Sequence, residues 1–150
     1  MPRPMTWAHL VRAVLACALL AVSASPASAV TCGVNSAGVA FGNYDTFIST
    51  PLDGVGTIAV NCDVSTTFTV ALSAGTGSFT QRQMTAGPSQ LGYNLYTDAT
   101  RTIVWGDGIS GNTVSATGTS VDLSIYGRVP DGQNVAAGVY SDSIVITVSY

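Results

Sequence analysis

The residues able to do chemistry in this chain are few, and their types narrow its function before any fold is assigned. The single histidine is His9, all five basic residues are arginines, and all eight acidic residues are aspartates. With no histidine beyond residue 9, the body of the chain can build neither a Ser–His or Cys–His nucleophile nor an imidazole metal site. Eight carboxylates raise the paired-acid chemistry of glycoside hydrolysis. However, Asp53, Asp98, Asp107 and Asp131 sit in turn signals, where aspartate is favoured because it bonds its own backbone, and no catalytic pair stands out. The clustered D-x-D-G oxygens of a calcium loop are missing as well. The expectation is therefore no enzyme, no metal and no cofactor. One constellation remains, Trp105-Gly106-Asp107-Gly108, an aromatic plate beside a carboxylate of the kind that sugars favour. Its competing reading is a turn packed by its own tryptophan.

The cysteines take their meaning from the start of the chain. Arg3 and Arg12 precede an apolar run over residues 13–22, Ser25-Pro26 interrupts it, and Ala27-Ser28-Ala29 supplies a small-x-small cleavage site. Residues 1–29 read as a secretory signal; the alternative, a membrane anchor, needs the ~18–20 apolar residues that cross a bilayer. The mature chain, residues 30–150, then keeps only Cys32 and Cys62. One pair in an oxidising compartment reads as a disulfide, and no CxxC spacing supports metal or redox thiols. The mature chain carries three arginines against eight aspartates, a formal charge of −5. No basic cluster is available to meet nucleic acid or an anionic membrane surface, and no mature segment is long and apolar enough to insert.

The elements that position these residues are short, alternating and closed by Gly, Pro, Asn and Asp. Residues 39–41 read as a brief strand and residues 45–56 as a loop. Residues 57–62 and 66–72 read as two strands, with Ile58, Val60 and Cys62, then Phe68, Val70 and Leu72, on one face. A short edge strand at 79–84 and strands at 91–97, 101–105 and 121–128 follow, with Leu91, Tyr93 and Leu95, then Val121, Leu123 and Ile125, inward. Residues 106–120 are the least structured by composition. Residues 138–150 form the last strand, with Ile144, Ile146 and Val148 facing inward and no internal Gly or Pro after Gly138. No window outside the first 29 residues has a helical period. Several short strands in about 120 residues indicate an all-β sandwich. Its terminal apolar strand needs a neighbour, either from its own chain on both sides or from another molecule.

An ordered set of segments gives the chain a family likeness. Cys32-Gly33-Val34, Val39-Ala40-Phe41-Gly42-Asn43-Tyr44 and Ile58-Ala59-Val60-Asn61-Cys62 open it. Arg82-Gln83-Met84, Leu91-Gly92-Tyr93-Asn94-Leu95-Tyr96, Trp105-Gly106-Asp107-Gly108, Tyr126-Gly127-Arg128-Val129-Pro130 and Gly138-Val139-Tyr140-Ser141-Asp142 continue it. Together they resemble the spore coat protein U domain. That family includes subunits of archaic chaperone–usher pili and secreted coat proteins. The resemblance implies an immunoglobulin-like sandwich lacking its final strand and completed by a donor strand. The expected partners are a periplasmic chaperone, an outer-membrane usher or a neighbouring subunit, and the expected location is the periplasm in transit and then the cell surface. It also makes Ile144, Ile146 and Val148 one wall of a donor-strand groove, and Arg82 and Arg128 structural partners for carboxylates. Only Val30 and Thr31 separate the predicted cleavage site from Cys32, a reach of roughly 7 Å. The expected role is therefore to accept a strand rather than to give one. The alternative is a stand-alone carbohydrate- or surface-binding module, with Trp105 and Asp107 as its ligand site.

Overall fold

A computed structural model describes residues 29–150; the predicted signal at 1–29 lies almost wholly outside the described residues. Six strands follow in order: β1 (Cys32–Ala37), β2 (Leu52–Leu72), β3 (Arg82–Ala86), β4 (Ser89–Tyr96), β5 (Val114–Val129) and β6 (Ile146–Ser149), with no helix among the described residues. All pairings between strands are antiparallel, in the order β1-β2-β5-β4-β3, with β6 also on β2. The sheet curls over one core built on Ile58, Val60, Phe68, Val70, Leu72, Leu91, Tyr93, Leu95, Ile125 and Val129.

The expected inward faces of residues 58–60, 68–72 and 91–95 are those of the core, because alternation follows directly from the pleat. Val121 and Leu123 are half-buried against it. The expected break at 63–65 does not end a strand. β2 runs through it, and its register against β5 shifts between Asn61 and Thr66, so the turn signal is absorbed as a bulge. Residues 52–56, expected in a loop, already pair with β5 from Leu52 onward. The stretch 106–120 is likewise not all irregular, because β5 begins at Val114. There Thr67 and Thr117 share a hydroxyl hydrogen bond of 2.8 Å and Thr69 and Ser115 one of 2.9 Å across the strands. Small polar side chains here do the cross-strand work that bulk does elsewhere. Residues 101–105 contribute only single bridges, Tyr96 with Val104 and Trp105 with Asn112.

β5 lines one edge of β2 along both halves, so β1 and β6 share the other edge in tandem. β1 pairs with residues 57–62 and β6 with residues 69–72. Both run antiparallel to β2, so the end of β6 points at the start of β1, and the Cys32 N–H donates to the Tyr150 hydroxyl at 3.3 Å. Cys32 and Cys62 are register partners with Cα atoms 4.0 Å apart and are joined by the expected disulfide, which fixes β1 to β2.

The last strand is shorter than the alternation implied. Of residues 138–150 only Ile146–Ser149 pair as a strand. Ahead of it, Ser141 makes an isolated bridge to Thr85 on β3, and the Val145 carbonyl accepts from the Ser73 N–H at 2.9 Å. The segment thus crosses from the β3 edge to the β2 edge and joins the two ends of the curled sheet at that level.

Candidate functional site

Beside that crossing the sheet is not closed. Residues 36–46, continuing from β1, and residues 135–146, leading into β6, face each other across a cleft. Its inner part is a cavity of about 300 Å³ floored by Leu72, Met84, Tyr93, Leu95 and Ile125. Its outer part holds about 750 Å³ over Met84, Leu91 and Val129. Val39, Phe41, Met84 and Tyr140 line both parts, which makes them one continuous feature.

The first wall is held by side chains. Val39 and Phe41 pack inward while Ala40 is exposed, so the alternation expected at 39–41 is present without a strand. Phe41 meets Tyr93 edge-on with ring centroids 5.8 Å apart. The wall can lie this close because Gly54 and Gly127, partners across β2 and β5, lack side chains. A Cβ on Gly54 would stand 2.8 Å from Val39 Cγ1, and one on Gly127 would stand 2.6 Å from Phe41 Cζ. At its far end Tyr44 Oη accepts from the Gln133 N–H at 2.8 Å.

Between their attachments to β2 and β3 neither wall is part of a ladder. Among the described residues, no backbone–backbone hydrogen bond involves residues 38–44 or 134–139. Two runs of backbone without ladder partners, in which the Ala136 carbonyl accepts from the Tyr140 hydroxyl at 2.7 Å, therefore flank an apolar floor, a geometry suited to an extended chain that pairs with both and points alternate side chains down.

Ile144 and Ile146, read from sequence as one side of such a groove, line the inner cavity. Val148 pairs with Val70 and packs on the core beyond the cavity. Val39, Phe41, Met84 and Tyr140 were not singled out. For the first two, the alternation at 39–41 just before Gly42 was the available signal.

A polar group anchors the inner end. Asp142 accepts from the Tyr93 hydroxyl at 2.7 Å, from the Thr76 N–H at 3.1 Å and from the Thr76 hydroxyl at 2.9 Å. Burial, and then the bond to Asp142, push the Tyr93 phenol well above its ordinary range. Arg82 is fully buried behind this pair. The expectation that it serves a carboxylate is corrected, since its guanidinium donates to the Ser73 carbonyl (3.1 and 2.8 Å), the Trp105 carbonyl (2.7 Å) and Asn94 Oδ1 (2.6 Å). Burial lowers its pKa, countered by the nearby Tyr93 and Asp142. Arg128 does hold a carboxylate, meeting Asp53 through Nε at 2.7 Å and Nη2 at 2.9 Å.

Trp105 is 0% exposed, and its indole N–H donates to the Val70 carbonyl at 3.0 Å. It offers no face to a ligand, so the proposed Trp105–Asp107 platform is corrected to a packed turn. Asp107 Oδ1 accepts from the N–H groups of Ile109 (2.9 Å) and Ser110 (2.7 Å), bonds that lower its pKa.

Comparison with known proteins fits this architecture. The family profile of the Spore Coat Protein U domain matches residues 17–147. Protein U of Myxococcus xanthus is 33% identical over 139 residues, which are 83% of this chain and 78% of that protein. The fold is similar to that of a chain in the CsuC–CsuE chaperone–tip adhesion subunit pre-assembly complex from archaic chaperone–usher Csu pili of Acinetobacter baumannii. That match has a TM-score of 0.57 at 21% identity and covers 81% of this chain but 40% of the other. By its profile match and its identity to Protein U, the chain belongs to the Spore Coat Protein U domain family.

Proposed function

We propose that this chain is an exported structural subunit of a cell-surface pilus of the chaperone–usher type, or of a coat, and that it assembles by accepting a β-strand in its cleft. The observation that carries this reading is the pair of facing backbone segments without ladder partners above an apolar floor. A strand laid between them satisfies their backbone groups and replaces water over Leu72, Met84 and Leu95. A periplasmic chaperone supplies that strand in transit and a neighbouring subunit supplies it in the assembly, with an outer-membrane usher as the exit. The leader at 1–29 directs export. Cleavage after Ala29 leaves Val30 and Thr31 ahead of β1, too short to complete another sandwich, so the role is acceptor.

The test is expression in a periplasm with and without a chaperone of this pilus class. Soluble protein that depends on the chaperone and co-purifies with it supports the reading. A stable, soluble monomer whose melting temperature does not respond to any added donor-strand peptide overturns it.

A further inference from the structure

We propose that the outer face of the β2–β5–β4 sheet, around Tyr126, binds a saccharide chain bearing carboxylates. This surface lies outside the cleft and does not depend on what fills it. Val55, Tyr126 and Tyr96 are register partners across three adjacent strands, so they stand in one row on one face, spanning roughly 10 Å at the usual strand spacing. One step along, Asp53 and Arg128 form a second row on the same face. From the turn after β4, Arg101 reaches over this corner, with its guanidinium carbon 5.8 Å from the centre of the Tyr126 ring and Nε 3.3 Å from Asp53 Oδ1. Two half-buried tyrosines and an exposed valine offer the flat apolar surface on which the C–H face of a sugar ring rests.

The charge of the patch points to an acidic ligand. The described residues contain three arginines, and Arg82 is fully buried. Arg101 and Arg128 are therefore the cationic side chains that reach the surface, 13% and 34% exposed, and one carboxylate, Asp53, stands between them. Nη2 of Arg101 and Nη1 of Arg128 make no hydrogen bond, yet no buried side-chain polar atom among the described residues lacks a partner. Both nitrogens therefore reach solvent, as outward donors with the planar geometry that suits a carboxylate.

The backbone also sets Arg101 apart. Arg101 has φ 59°, the one non-glycine residue with positive φ among those described. Glycine would adopt that conformation without steric cost. The turn keeps an arginine there, and its guanidinium donates through Nε to the Gly127 carbonyl at 3.0 Å and through Nη1 to the Ala99 carbonyl at 2.8 Å, which fixes it over the Tyr126 corner.

The probe is a polygalacturonate oligomer titrated against the exported chain, with a neutral maltooligosaccharide of equal length alongside. The expected result is saturable binding of the uronate that weakens with added salt, with the neutral sugar at least about tenfold weaker. Arg101→Gly relieves the backbone but gives up the bonds to the Gly127 and Ala99 carbonyls and the ion pair with Asp53; at a temperature where it remains folded it should lose about tenfold in uronate affinity. Tyr126→Ala should lose binding and Tyr126→Phe should keep it. No uronate binding by the wild-type chain, equal binding of the neutral sugar, or affinity unchanged in both Arg101→Gly and Tyr126→Ala would each overturn the proposal.

Discussion

The backbone of Ser141 both accepts from and donates to the backbone of Thr85, at 2.9 and 3.2 Å. On either side of this double bond the pairing on β3 stops, and residues 134–139 run on without a ladder. Amide hydrogen exchange should show that boundary directly. The amides of Thr85 and Ser141 should be protected in the unfilled protein, and those of residues 38–44 and 134–139 should exchange fast. Adding a donor-strand peptide should protect amides on both walls together. Protection on one wall only would mean that the cleft does not seat a strand between them.

Ile146 tests the inward face of the last strand. It pairs with Leu72 and lines the inner cavity. Ile146→Asp puts an unpaired carboxylate against that floor and should cost about 2–4 kcal/mol, seen as a lower denaturation midpoint at unchanged slope. Val145→Asp, on the exposed face of the same segment, should change stability by less than about 0.5 kcal/mol.

Arg82 should be the least replaceable charged residue. Arg82→Met leaves the Ser73 and Trp105 carbonyls without their donor and Asn94 Oδ1 with the Leu95 N–H alone, and should cost about 3–5 kcal/mol. Arg82→Lys retains the charge but cannot span the acceptors, and should recover only part of the loss. Full recovery by lysine would show that charge, rather than the forked geometry, is what the site needs.

The pH dependence follows from three aspartates. Bonds from Arg128 hold Asp53 below the usual carboxylate value; those from Thr100, Ile103 and Thr102 do the same for Asp98, and those from Ser110 and Ile109 for Asp107. A carboxylate depressed in the folded state contributes stability above its unfolded pKa, and that contribution is lost as pH falls through the folded value. Melting temperature should therefore be steady from about pH 5 to 8, with no histidine after His9 to titrate, and should fall steadily below about pH 4. Asp53→Asn should flatten part of the acid limb.

Removing the disulfide, as Cys32→Ser with Cys62→Ser, should cost about 3.6 kcal/mol in the chain-entropy account of a link spanning 30 residues. Because the link pins β1 and the first cleft wall continues from it, the double variant should also bind a donor-strand peptide more weakly. Unchanged peptide affinity would separate the wall from the disulfide.

Much of the fold was legible because the pleat imposes a period of two, so Ile58, Val60, Phe68, Val70 and Leu91 could be placed inward from alternation alone. The lengths of the strands were not. Asp63, Val64 and Ser65 look like a turn, and only pairing with β5 on both sides of them carries the strand through. The start of β5 was hidden by its Ser, Thr and Gly content, since its stability there comes from hydroxyl pairs formed with a strand about 50 residues away. Ile144 and Ile146 could be named from one end of the chain. Their opposite wall could not, because nothing local in Val39 or Phe41 says that they will rest on Gly54 and Gly127. The burial of Trp105 and the partners of Arg82 are equally non-local: each is fixed by carbonyls on other segments.

The tandem placement of β6 and β1 on one edge of β2 has a consequence for anyone joining a strand to this protein. A segment fused after Tyr150, whose hydroxyl reaches the Cys32 N–H, starts at the far end of β1 from the cleft, whose nearest lining residue on that wall is Ser36. It must travel the length of β1, roughly 20 Å at the rise of an extended chain, before its first side chain can enter. A tether of fewer than about six residues cannot fold back into its own molecule. It would instead reach into a second copy, and the product would be a swapped dimer or an open chain of subunits, set by the length of a spacer that touches neither partner.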